Sequence, residues 1–76
     1  MKELVEVIAK SLVDHPEDVR VEEEQEDRQV TLKPHVDEDD MGKVIGRQGR
    51  IVKEIRILMR AVAQRQGKKV SVDIMD

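Results

Sequence analysis

The stretch Val44-Ile45-Gly46-Arg47-Gln48-Gly49-Arg50-Ile51 is where residue types and spacing point to chemistry. Two glycines enclose two long polar residues, so a turn there lets the main chain approach another polymer with no β-carbon in the way. A helix starting just after the turn would offer unpaired amides with partial positive charge, which favours an anion. Arg47 places a mobile charge at the tip, Gln48 adds a donor and an acceptor, and Lys43 and Arg50 flank the turn. Together they make a phosphate-sized cradle, and Lys53, Arg56 and Arg60 extend the positive field beyond it. Glycines three apart also serve helix-turn-helix connections for steric reasons alone. Here the neighbours decide: the pair follows Val-Ile, encloses Arg-Gln and precedes Arg-Ile.

Elsewhere the inventory for chemistry is thin. Cysteine is absent, Ser11 and Ser71 have no histidine nearby in sequence, and the loop lacks the Gly-Lys-Ser/Thr ending of a nucleotide-binding P-loop. Neither an enzyme nor a cofactor is expected. His15 and His35 stand without a second imidazole or carboxylate at ligand spacing, so no metal site is expected. The run Glu22-Glu23-Glu24 with Glu26-Asp27 reads as a solvated hairpin tip.

The net charge of -3 hides a division along the chain. Residues 1 to 40 carry five Lys/Arg against fourteen Asp/Glu, a balance of -9, whereas residues 41 to 76 carry nine against three, a balance of +6. Screening confines each field to about 8 Å at physiological salt, so a local basic surface attracts phosphates even on an acidic molecule. With no Phe, Tyr or Trp, bases cannot be held by aromatic stacking. The charged start Met1-Lys2-Glu3 and the lack of any membrane-length apolar run lead to the expectation of a cytoplasmic protein.

The elements that must position the loop follow from periodicity. Leu4, Val5, Ile8 and Leu12 recur at helical spacing until Asp14-His15-Pro16 stops the helix. Val19 to Glu23 and Gln29 to Lys33 alternate as a hairpin, with Gln25-Glu26-Asp27-Arg28 as its loop and Pro34 as its end. Asp37 is placed to cap a short helix that ends at Gly46. A long helix from Arg50 to about Gln66 turns Ile51, Ile55, Leu58, Met59 and Val62 inward, and Gly67 closes it before a last strand through Val70, Val72 and Ile74. Ile57, near Ala61, points away from that stripe and is a possible dimer contact. The expectation is one α+β domain over residues 1 to 76. Its order is helix-strand-strand-helix-helix-strand, with three helices covering one face of a three-stranded sheet.

With this order and the Gly46-Arg47-Gln48-Gly49 loop, the chain resembles the KH domains in their type II arrangement, along essentially its whole length. Within that family it is similar to small bacterial proteins made of a single KH domain, through Asp40 to Ile51. The resemblance implies single-stranded RNA as partner, with the loop holding the backbone and bases along a groove between the short helix and the edge strand. On that reading Lys43, Val44, Ile45, Gly46, Arg47, Gln48, Gly49, Arg50 and Lys53 form the RNA site, Val44, Ile45 and Ile51 lining the groove or packing behind it. It further implies an RNA chaperone or post-transcriptional regulator that pairs with itself or with a larger KH-containing protein and is linked to cell-wall synthesis and cell shape. Two rival readings are a dimerisation adaptor with little RNA affinity and a binder of single-stranded DNA.

Overall fold

In a computed structural model describing all 76 residues, the apolar periodicities resolve into six elements. They are α1 (Lys2–Leu12), β1 (Arg20–Glu26), β2 (Gln29–His35), α2 (Met41–Ile45), α3 (Arg50–Arg65) and β3 (Lys69–Val72). Short 3₁₀ turns at Pro16–Asp18, Glu38–Asp40 and Arg47–Gly49 join them. The sheet order is β1-β2-β3, with β1 antiparallel and β3 parallel to the central β2. A parallel third strand needs a crossover, and α2 with α3 supplies it.

Alternation on the strands turns Val21, Val30, Leu32 and Val72 toward the helices, where they pack with Val5, Ala9, Val44, Ile55 and Met59. Leu32, Val30 and Met59 are completely covered, each such side chain contributing about 1.5 to 3 kcal/mol of burial. The opposite face is polar, with Glu22, Glu24 and Lys33 in cross-strand ion pairs or near them.

Three expectations about the elements need correction. The hairpin loop is tighter than Gln25 to Arg28: β1 runs to Glu26, which pairs with Gln29. Asp27, at φ 54, takes the left-handed conformation that a short polar side chain tolerates, so no Asn-Gly is required. Pro34 does not end β2 either. It pairs with Val21 and is fully buried, and it shortens β3 instead. Leu32 accepts from the Asp73 amide at 2.9 Å and Pro34 from the Met75 amide at 2.8 Å, but proline has no N–H to return to the last strand, so the ladder loses a rung just past Val72.

The inward face of α3 is also rotated. Val52, Ile55, Met59 and Ala63 are buried, Ile51 and Val62 are half-buried, and Leu58 is 43% exposed. Only one flank of α3 meets the sheet, so the apolar arc is wider than the buried one. In α1 the same shift buries Val5 and Ala9 and leaves Leu4 exposed.

Candidate nucleic-acid interface

The loop is built by α2 ending on one glycine and α3 starting on the other. Gly46 closes α2, its amide donating to the Gly42 carbonyl at 2.8 Å, with φ 78 and ψ 174. That region belongs to glycine, and a β-carbon here would stand 2.6 to 2.9 Å from the Ile51 side chain. Gly49, at φ 72 and ψ 17, is the residue before the first turn of α3, and Gln48 is left-handed as well at φ 59. Three left-handed residues in four fold the chain back so that the tip stands clear of the helices.

The fate of the amides departs from the simple expectation of a helix start with free donors. Gly49 donates to the Gly46 carbonyl at 3.1 Å, and Arg50 to the carbonyl of Arg47. Those two hydrogens are spent inside the turn. The amides of Arg47 and Gln48 have no acceptor among the turn and loop bonds, so the donors offered outward lie at the tip. Both side chains are exposed, and with Arg50 and Ile51 they line a recess of ≈ 470 Å³.

Lys43 is placed differently from the other basic residues. It lies on α2 but pairs with Asp14 and, at 3.6 Å, with Asp40, which hold it toward the α1–β1 connection. The Asp14 hydrogen bond is the main cause that raises its pKa, against the pull of burial. Val44 is a core residue at 1% exposure and Ile45 is half-buried, so Val44 packs behind the loop. Lys53 is exposed on the first turns of α3. Intrachain ion pairs use Lys10, Arg20, Lys33 and Lys43, and none uses a lysine or arginine from Arg47 to Lys69.

A feature the sequence did not reveal is how this field meets the sheet. Arg56 and Arg60 project from α3 over β3, lining a groove of ≈ 270 Å³ with Val70 to Asp73. Arg56 Nε donates to the Val72 carbonyl at 3.1 Å. Alternate residues of β3 bond to β2, so the amide and carbonyl of Val70 face the open edge. The groove beside the edge strand therefore lies against α3. Only the parallel pairing of β3 places it there, and periodicity cannot read pairing.

Asp40 is 1% exposed, and its carboxylate accepts from the amides of Asp14 at 3.2 Å and His15 at 3.0 Å. This ties the α1–β1 connection to the start of α2, one helix before the loop. Burial opposes its ionisation, yet those two amides and the charges of His15 and Lys43 prevail and hold the carboxyl below its ordinary 3.8. His15 moves the other way. Partial burial works against its protonation, but Asp40, Asp37 and Glu17 outweigh it and raise the imidazole above 6.5. The fold also gives His15 the carboxylate neighbours that its sequence position lacks, since its ring, Asp18 and Asp37 bring ligand-type atoms within 4.8 Å of one another.

A raised histidine stabilises fully below its unfolded value of 6.5 and loses that contribution as pH rises through the higher folded value. Asp40 contributes fully above 3.8 and loses its share only as pH falls through its depressed folded value. Urea midpoints should therefore fall modestly as pH rises from 6.5 through the raised folded value, and His15→Gln should flatten that fall. An unchanged slope in the variant would show that His15 is not its source.

A family model described as "KhpA/KhpB, KH domain" matches residues 2–74. The chain is 56% identical over 75 residues to the RNA-binding protein KhpA of Clostridium perfringens, covering 99% of this chain and 100% of that protein. It is 49% identical to RNA-binding protein KhpA of Listeria monocytogenes, with both chains covered in full. The protein of that name from Chlamydia pneumoniae is 43% identical over all of this chain and 97% of its own length. No solved structure matches the chain. A match across nearly every residue, on a three-stranded sheet with the glycine loop between α2 and α3, shows that this chain belongs to the KhpA/KhpB family of KH domains.

Proposed function

We propose that this protein binds single-stranded RNA, holding the sugar-phosphate backbone at the Gly46–Gly49 turn and laying bases along the groove between α3 and β3. The observation that carries this reading is the turn itself: free Arg47 and Gln48 amides beside a recess lined by two arginines that no carboxylate neutralises. The relatives named as RNA-binding proteins support it. A small loop of this kind clamps about four nucleotides, so one domain binds weakly and tolerates many sequences. Such a binder acts on transcripts as a chaperone or post-transcriptional regulator, with the link to cell-wall and cell-shape control that the family resemblance carries. Exposed Ile57, Leu58 and Ala61 on α3 support pairing with a second copy, and the family's naming for both KhpA and KhpB supports a larger KhpB-like protein as an alternative partner.

Affinity measured against salt tests the reading. Four phosphate contacts at ~0.7 each give a log-log slope of roughly -3. A flat dependence would point to an apolar protein partner instead. A matched DNA oligomer bound as tightly as RNA would show that no 2′-hydroxyl is read and would move the assignment to single strands in general.

A further inference from the structure

We propose that His15, Asp18 and Asp37 bind one divalent transition ion of the zinc class, which clips the α1–β1 connection to the β2–α2 connection. The site lies away from the glycine turn and does not depend on the RNA-binding reading.

Neither connection makes the site alone. His15 and Asp18 bracket the first 3₁₀ turn, the Asp18 amide donating to the His15 carbonyl at 3.0 Å, and Asp37 caps the second turn from beyond the hairpin. One ligand-type atom from each of the three lies within 4.8 Å of the other two. A tetrahedral centre with bonds of about 2.0 to 2.2 Å sets its ligand atoms roughly 3.4 Å apart, so side-chain rotation closes the remaining distance. The backbone beneath is already fixed. The buried Asp40 carboxylate takes the amides of Asp14 and His15, and Asp37 spends one oxygen on the Asp39 amide at 2.9 Å, which leaves its other oxygen for an ion.

Two features separate these residues from an ordinary acidic patch. The first is the imidazole: nitrogen among carboxylates suits zinc, cobalt or nickel, whereas calcium and magnesium take oxygen ligands. Glu17 Oε1 stands 3.6 Å from His15 Nδ1, close enough to steady the ring as outer carboxylates do for ligating histidines. The second is charge. No lysine or arginine pairs with Asp18 or Asp37, and Lys43, the base drawn to this corner, is taken by Asp14 and Asp40. In the absence of an ion the imidazole proton answers these carboxylates, and a metal takes its place. Three protein ligands leave a fourth position to water, and with Asp18 exposed and His15 and Asp37 half-buried the ion enters from solvent.

A clip suits this chain. Fifteen of its 76 residues are buried and it has no cysteine, so a metal is the covalent-strength staple its side chains can supply to a small core. The ion would close the chain around the β1–β2 hairpin, adding to the tie that Asp40 makes between the same two connections.

Zinc titrated into chelator-stripped protein tests the site. One equivalent of Zn²⁺ should bind, shifting the ring nitrogen resonances of His15 and not those of His35. Zn²⁺ at about a hundredfold excess over its dissociation constant should raise the urea midpoint. His15→Gln and Asp37→Asn should each weaken Zn²⁺ binding at least tenfold, the asparagine keeping the cap on its turn, whereas His35→Gln should bind as the parent does. Binding weaker than millimolar, unmoved His15 ring resonances, or parental affinity in either folded variant would overturn the site. Equal stabilisation by Mg²⁺ would overturn it too, since carboxylates alone would then account for the effect.

Discussion

Replacing Gly46 with alanine should destabilise the protein by about 2 to 3 kcal/mol, the upper part of the range for a residue forced into sparsely populated backbone geometry. For a domain of this size that is a fall in melting temperature of about 8 to 24 °C, at roughly 4 to 8 °C per kcal/mol. The cause is twofold. At φ 78 and ψ 174 an L-residue is strained, and its β-carbon would meet Cγ1, Cβ and Cδ1 of Ile51 within 2.9 Å. Those atoms lie next to the branch point of a side chain packed against the core, so they cannot simply swing away. Gly49→Ala provides the contrast. Its φ of 72 is left-handed, but the new β-carbon would find only Val52 Cγ1, at 3.9 Å, leaving the conformational cost of about 1 to 2 kcal/mol. Thermal unfolding of both variants should rank Gly46→Ala as the more damaging, and equal losses would show that Ile51 yields.

The double variant Arg47→Asp with Gln48→Asp should keep the fold and lower RNA affinity by on the order of a hundredfold or more. A charge-assisted contact contributes about 1.5 to 3 kcal/mol, each ~1.4 kcal/mol is tenfold, and the substitution adds two anions where a phosphate would sit. The fold survives for reasons visible in the loop. Both side chains are exposed, neither makes an intrachain hydrogen bond, and aspartate tolerates the left-handed geometry of Gln48. Circular dichroism should match the parent while gel-shift affinity collapses. A folded double variant with parental affinity would place the ligand elsewhere.

The geometry of the candidate site's turn was legible because it is local. The sequence Gly46-Arg47-Gln48-Gly49 carries its own turn geometry, and Asp37 does cap the 3₁₀ turn before α2 through the Asp39 amide at 2.9 Å. What the sequence could not show depends on pairing between distant segments. Lys43 looks like any other base near the loop until the fold brings Asp14 beside it. Asp40 reads as one of four consecutive acids until the amides of Asp14 and His15 close over it. Leu58 fits a helical stripe by angle, but only one flank of α3 meets the sheet, and Leu58 is left 43% exposed. Pro34 shows the same limit in a strand. Its lost N–H predicts an end to β2 from sequence alone, whereas the missing rung falls on β3.

Backbone capture at the turn requires the Arg47 and Gln48 amides to be free to meet a phosphate. Titrating isotopically labelled protein with a four-nucleotide single-stranded RNA and following backbone amide resonances measures this directly. The largest shifts should fall on Arg47 and Gln48, with smaller ones along Arg56, Arg60 and Val70 as bases enter the groove. Saturable binding that left both tip amides unmoved while shifting resonances on the acidic hairpin or on α1 would contradict it.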